Sequence, residues 1–257
     1  MGSHDHEALW RKRLTEGHRP LRIAHRIFRH VPSSPRCKVC HNPFGGIGGK
    51  IVGLFGFARS RKNPNLCTRC CDVLPRGGAE IDIAVLFADV RGSTPLAEKS
   101  RPSEFAALLE RFYHTATETL IRHDAIIDKL IGDEVMALFI PGISGPAYRR
   151  RAGEAALALL EAMGYGESAK PWLAIGGAVS SGLAYVGNVG AEGVVDFTAL
   201  GDVVNTASRL QAEAAAGEFL ISEAVHRSVA DRFPDLDSRV VTLRGKEVPV
   251  TVRVLRI

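Results

Sequence analysis

Apolar and polar positions change rhythm near residue 80. From Ile81 onward the chain alternates short apolar runs with helical periodicity. "IDIAVLFAD" at 81–89 is a nearly continuous apolar run, as expected of a buried strand. Phe105, Leu108, Leu109, Phe112 and Ala116 recur at helical spacing and predict a helix over about 102–122. Two apolar runs, 125–131 and 134–140, flank "IGDE", and Gly-Asp at the tip is a hairpin signal. A helix over 147–163, a strand over 172–181 and a second hairpin over 183–200 come next. A helix over 202–215, a short strand 218–221, a helix 223–230 and a last hairpin 239–256 complete the pattern. Reduced to essentials, the order is β-α-β-β-α-β with C-terminal additions. That is the split βαβ, ferredoxin-like arrangement of the α+β class.

The first 80 residues read differently. Residues 8–31 form a basic, partly amphipathic stretch, with Leu21, Ala24, Phe28 and Val31 near helical spacing and Arg22, Arg26 and Arg29 between them. It is expected to be a helix with a solvated face, packed on a neighbour or a second subunit, rather than a membrane or nucleic-acid contact. Residues 36–71 carry "CKVC", a glycine-rich "NPFGGIGG" and "CTRC", and "LPRGGAE" at 74–80 reads as a linker. Three regions follow: a basic segment over 1–35, a four-cysteine head with its linker over 36–78, and a larger domain over 79–257.

Charge sharpens this division. Residues 1–78 hold 15 Lys and Arg against 4 Asp and Glu, whereas 79–257 hold 18 against 24. A basic head is joined to an acidic body, and its charge suits an anionic partner: nucleic acid, an acidic membrane surface or the body itself. An apolar content of 46% in 257 residues supports a genuine core and excludes a disordered chain. No apolar run approaches the ~18 residues needed to span a bilayer, and no secretory signal pattern opens the sequence. The expected compartment is the cytoplasm.

Candidate chemistry gathers in three places. Asp89 ends the first strand and Asp133 sits in the first hairpin turn. In a split βαβ sheet those elements are neighbours, so the two carboxylates converge and require a cation, for which Mg²⁺ is suited. Asn205 and Arg209 lie four apart on one helix face in "LGDVVNTASRL", with Asp202 as the expected helix N-cap. Cys37, Cys40, Cys67 and Cys70 form a CxxC…CxxC pair. Four such thiolates in a reducing compartment point to a closed tetrahedral Zn²⁺ site, with an iron–sulfur cluster as the rival. Cys71 is a spare thiol and His41 is expected at the surface. "NPFGGIGGK" lacks the Gly-Lys-Ser/Thr ending of a phosphate loop and is expected to be flexible backbone around the metal.

"AVLFADVRGST", "DKLIGDEVMALF" and "VVDFTALGDVVNTASRLQ", in that order, resemble the class III adenylyl/guanylyl cyclase catalytic domain over residues 81–257. The resemblance implies that Asp89 and Asp133 bind two divalent ions, Mg²⁺ or Mn²⁺, per active site. It implies that Asn205 and Arg209 act on the transition state, and that Lys129 and Thr198 read the base. Lys246 is implied to bind the triphosphate, with Arg244 as the competing choice. A Lys/Thr pair resembles the branch that includes bicarbonate-responsive adenylyl cyclases. The implied reaction turns ATP into cyclic AMP and pyrophosphate at the interface of a head-to-tail homodimer. Two alternatives stand beside it. One is a guanylyl cyclase. The other is a non-catalytic, nucleotide-sensing body with a nucleic-acid-binding metal ribbon, although the complete Asp/Asp/Asn/Arg set argues against nucleic acid as the partner.

Overall fold

The structure is a computed structural model, and it describes residues 3–16, 23, 26–28, 30, 36–37, 39–59, 67–73, 77–166, 170–191 and 194–257. The chain divides into two compact units. The second comprises Ile83–Phe139, Ala147–Leu183 and Gly201–Ile257. The first comprises Met1–Asp82, Ile140–Pro146 and Ala184–Leu200.

The second unit carries the predicted order. Strand β1 (Gly77–Val90) enters it at Ile83, and its apolar run leads to a short helix α1 (Ser93–Lys99) and a long helix α2 (Pro102–Arg122). Proline at the first position starts α2, where its missing N–H costs nothing. The hairpin β2 (Ile126–Ile131) and β3 (Glu134–Phe139) follows, then helix α3 (Tyr148–Ala162). Strand β4 (Ile175–Ala191), helix α4 (Asp202–Glu213), strand β6 (Phe219–Ser222), helix α5 (Glu223–Val229) and strands β7 (Ser238–Val241) and β8 (Val250–Leu255) complete it; β5 (Val194–Leu200) pairs with the far half of β4 in the first unit. The sheet order is β2-β3-β1-β4-β6-β8-β7. Its first four strands have the ferredoxin-like order, and β6, β8 and β7 are the C-terminal additions.

Register puts the chemistry at one sheet end. Strand β1 pairs antiparallel with β3, from Ala84 opposite Phe139 to Asp89 opposite Glu134. Ala84, Leu86 and Ala88 face a core that includes Phe112, Ala116 and Leu120 of α2 and Leu159 and Leu160 of α3. Each large apolar side chain so buried contributes about 2 kcal/mol. That core fixes β1 against α2 and therefore fixes Asp89 at the strand's mouth.

In the first unit, an N-terminal helix (Ser3–Thr15) buries Trp10 and Leu14, and Trp10 stacks on Phe197 of β5. Gly78 and Gly187 touch: a Cβ on Gly187 would lie 2.4 Å from the Gly78 Cα, so neither strand tolerates a side chain there.

Several expectations are corrected. Gly77–Glu80, expected as linker, belongs to β1, because small residues let the strand approach β4 closely. Residues 172–181 and the first arm of the second hairpin form one long strand, since Gly182 passes through without a turn. Helix α1 after Gly92 has no clear periodic signal and was not expected. "GGIGGKIVG" is not loose backbone: Gly46–Gly53 is helical, and Gly49 packs so tightly that a Cβ would lie 2.6 Å from the Phe44 carbonyl carbon. His41 is buried, not at the surface, in a turn that places it at φ +55. Of the basic stretch over 8–31, Leu21, Arg22, Ala24, Arg29 and Val31 lie outside the described residues, as do 74–76 and the Cys71 side chain.

Candidate active site and cysteine cluster

Asp89 and Asp133 meet as their positions in the chain predict. Gly132, at φ +61, lets the hairpin turn tightly and presents Asp133 beside the end of β1. The Val90 amide donates to the Asp133 carbonyl at 3.2 Å, and Tyr113 of α2 donates its hydroxyl to the Gly132 carbonyl. The turn is thus tied to both a strand and a helix. Burial, and then the neighbouring Asp133 carboxylate, push the Asp89 carboxyl up to about 6. Burial and both aspartates push Glu134 up to about 7. Three carboxyl groups therefore share one end of the sheet, and two of them resist ionisation even though Arg91 partly offsets the crowding.

The two oxygens of Asp89 have different surroundings. Oδ2 accepts from Gln211 Nε2 at 2.7 Å and lies 3.5 Å from an Arg91 Nη2. That same Arg91 nitrogen donates to the Gln211 carbonyl at 2.9 Å, closing a clamp between β1 and α4. Oδ1 is buried and has no hydrogen-bond partner among the described residues. A buried carboxylate oxygen without a partner is costly, and a divalent cation is the partner that fits a paired-aspartate donor set. Gln211 and Arg91 escaped the sequence reading. Gln211 follows two residues after Arg209 and gives no signal beyond its place on the same helix.

Helix α4 gathers a second group. Asn205 is exposed on its first turns and Arg209 is half-buried one turn later. The Arg209 guanidinium rests on the β7–β8 connection, where a Cβ on Gly245 would lie 3.3 Å from Nη1. Lys246 reaches back and donates from Nζ to Asp202 Oδ2 at 2.7 Å. Asp202 is therefore not the N-cap: Gly201 takes that position, and Asp202, the first helical residue, pairs with Lys246 instead. That pairing, with Arg209 adding to it, holds the Asp202 carboxyl below its ordinary range. Arg244, the competing choice, is exposed.

Lys129 stands on β2, where the register shifts between Ile127 and Lys129. Adjacent strand residues normally face opposite ways; the bulge at Asp128 lets its carboxylate reach Lys129 Nζ at 2.9 Å, with the Asp128 side chain 0% exposed. Thr198 is buried on β5, opposite Gly187 of β4. Lys129 belongs to the second unit and Thr198 to the first.

In the first unit, all four expected cysteines converge, their sulfurs within 4.8 Å of one another. The Cys67 amide donates to Cys37 Sγ at 3.3 Å, the Cys70 amide to Cys67 Sγ at 3.4 Å, and Cys40 and Cys67 sulfurs lie 3.6 Å apart. Burial works against a thiolate at Cys37, but the thiols of Cys40, Cys67 and Cys70 outweigh it and hold Cys37 well below the usual range. Cys40 and Cys70 are pushed up, chiefly as donors to Cys37. Four soft donors at this separation, steadied by amide donors, fit a metal held by sulfur.

The adenylate and guanylate cyclase catalytic domain family matches residues 79–255. The chain belongs to that family. Among curated relatives, uncharacterized protein Rv1319c of Mycobacterium tuberculosis is 32% identical over 216 residues, 82% of this chain and 37% of that protein. Rv1318c of the same species is 32% identical over 178 residues, 68% of this chain and 32% of that protein. The chain thus spans about a third of the length of the curated relatives it matches. Of solved structures, the guanylyl cyclase Cya2 aligns at TM-score 0.59 with 27% identity, over 69% of this chain and 93% of that one. The adenylyl cyclase CyaB from P. aeruginosa aligns at 0.59 with 28% identity, over 69% and 95%. The cyclase fold is shared equally with an enzyme of each purine preference. Among the described residues, no helix is long and apolar enough to cross a membrane.

Proposed function

We propose that this cyclase domain converts ATP to 3′,5′-cyclic AMP and pyrophosphate, using two divalent ions, at the interface of a head-to-tail homodimer. The observation that carries the reading is the juxtaposition of Asp89 and Asp133 with the unpartnered Oδ1 of Asp89. Mg²⁺ or Mn²⁺ on these carboxylates would lower the pKa of the ribose 3′-hydroxyl and neutralise the phosphates. The chain's own residues do the rest. Asn205 orients the ribose so that the hydroxyl lies in line with the α-phosphorus. Arg209 meets the charge that develops around that phosphorus. Lys246, half-buried and directed at the first turn of α4, binds the triphosphate, and its ion pair with Asp202 holds it in reserve until nucleotide arrives. Lys129 and Thr198 read adenine through N1 and the 6-amino group.

The chain carries each set of residues once, so a two-fold dimer supplies two complete sites. Zn²⁺ in the Cys37/Cys40/Cys67/Cys70 cluster staples the head, which regulates or positions the dimer; the cytoplasm keeps those thiols reduced. A second reading, guanylyl cyclase, draws on the equal likeness to Cya2; Lys129 opposes it.

The test is product formation from ATP and from GTP with Mg²⁺ or Mn²⁺ as a function of protein concentration. Cyclic AMP rising faster than linearly with protein is expected. Preference for GTP selects the second reading, and absence of cyclic product from a folded dimer under every metal defeats both.

A further inference from the structure

The cysteine head carries an apolar tip that the cyclase reading leaves unused. The short helix Gly46–Gly53 and the turn after it project Ile47, Ile51, Leu54 and Phe55, which are 79%, 53%, 87% and 65% exposed. Ile47 and Ile51, four apart, share one face of the helix, and Leu54 and Phe55 follow in the turn at its C-terminus. The helix is apolar yet buries none of its residues.

The tip is built rather than frayed. Gly49 packs against the Phe44 backbone, and the Gly56 carbonyl accepts from the Thr68 hydroxyl at 2.7 Å, next to Cys67 of the metal cluster. Arg59 lies over the Phe44 ring at 5.0 Å and Arg69 over the Phe57 ring at 4.7 Å. Two guanidinium groups are therefore stacked on rings just before and just after the apolar face, and Lys50 is exposed on the helix itself. From Gly17 to Cys71 the sequence holds 11 Lys and Arg and no Asp or Glu.

We propose that this tip is a peripheral membrane-docking element: Ile47, Ile51, Leu54 and Phe55 enter the headgroup–acyl boundary of an anionic bilayer while Lys50, Arg59 and Arg69 meet the lipid headgroups. Apolar insertion with surrounding cations is the pattern of interfacial anchoring. A second copy of the head would bring cations against cations. An acidic protein would satisfy the charges, but a face of aliphatic and phenyl side chains that carry no polar atom offers it nothing to orient on. Nucleic acid would use the cations and stack on aromatic planes, leaving Ile47, Ile51 and Leu54 in water. The eight-residue helix is far below the ~20 residues needed to span, so the docking is peripheral. The inference is independent of the purine preference and of catalysis.

The experiment is flotation of the purified full chain with vesicles of phosphatidylcholine alone or mixed equally with phosphatidylglycerol. Binding to the anionic vesicles is expected, weakened several-fold by high salt as charge screening requires. The double variant Leu54→Ser/Phe55→Ser, both exposed and so tolerated by the fold, is expected to lose about tenfold in partition. Phe55→Trp provides a second reading: the emission it adds over that of the parent's own tryptophans shifts to the blue with anionic vesicles. Failure to float with either vesicle, equal partition of the double variant and the parent, or no blue shift in the emission added by Phe55→Trp overturns the proposal. Binding to single-stranded RNA or duplex DNA in place of vesicles reassigns the surface to nucleic acid.

Discussion

At the end of β1, Asp89, Asp133 and Glu134 form a cluster that stays partly open to solvent, whereas in the head four cysteines are all buried. Both clusters crowd groups that would repel once ionised, and both respond by holding protons: Asp89 and Glu134 are pushed up, and so are Cys40 and Cys70. They differ in closure. The thiols are buried against one another and accept from the Cys67 and Cys70 amides, which suits a structural ion with no place for substrate. The carboxylates leave one buried oxygen without a hydrogen-bond partner among the described residues, in a cluster whose residues are only partly buried, which suits a hard divalent ion that keeps exchangeable ligands.

The largest expected effect comes at the open site. Asp89→Ala removes the proposed metal ligand without touching the hydrophobic face of β1; cyclase turnover should fall about a thousandfold, equivalent to about 4 kcal/mol of lost charge stabilisation. Unchanged dimerisation in sedimentation and normal cyclic nucleotide output would refute the assignment. The closed site should respond in stability rather than turnover. Cys67→Ser or a strong chelator should unfold the head, read as loss of protection from proteolysis over 36–73, since metal binding and folding are one process in so small a unit. A head that survives both would remove the metal from the account.

The clamp on Asp89 offers a finer test. Gln211→Leu removes the hydrogen bond to Oδ2 while leaving Asp89 and its Arg91 neighbour in place, and partners that orient a ligand are worth roughly tenfold to a hundredfold in metal affinity. Half-saturation by Mn²⁺, followed directly by its paramagnetic signal in the absence of nucleotide, should shift upward within that range, with the melting temperature little changed. Gln211→Glu should not rescue, because a carboxylate cannot donate to Oδ2.

The smallest effect is on pH. Asp89 at about 6 and Glu134 at about 7 bind protons more tightly folded than unfolded, so without metal their contribution to stability is lost as pH rises from about 4 through 7. A divalent ion reverses the penalty. Mn²⁺ should therefore raise the melting temperature by a few degrees more at about pH 8 than at about pH 5.5. An equal shift at both would mean that the carboxyls do not titrate in this range.

Sequence alone determined the strand and helix order of the second unit apart from α1, because apolar periodicity is enforced by which face meets the core. It also determined that Asp89 meets Asp133, since β1 and the β2–β3 hairpin must be neighbours in this topology, and that four cysteines at such spacings meet. It did not reveal Gln211, Arg91 or Asp128. Their value lies in contacts across more than a hundred residues, or in a register shift that brings two neighbouring strand side chains together, and neither leaves a local pattern. Nor did it reveal that Asp202 would forgo its capping role, because that depended on Lys246 arriving from a connection 44 residues away. The helix at "GIGGKIVG" is the sharpest case. Glycine content spoke for loose backbone, but close packing against Phe44 and attachment beside Cys67 hold an apolar face in the open. Local propensity is about 1 kcal/mol per glycine and less for most other residues, and such a margin is overturned whenever packing and hydrogen bonds from distant residues converge on the same segment.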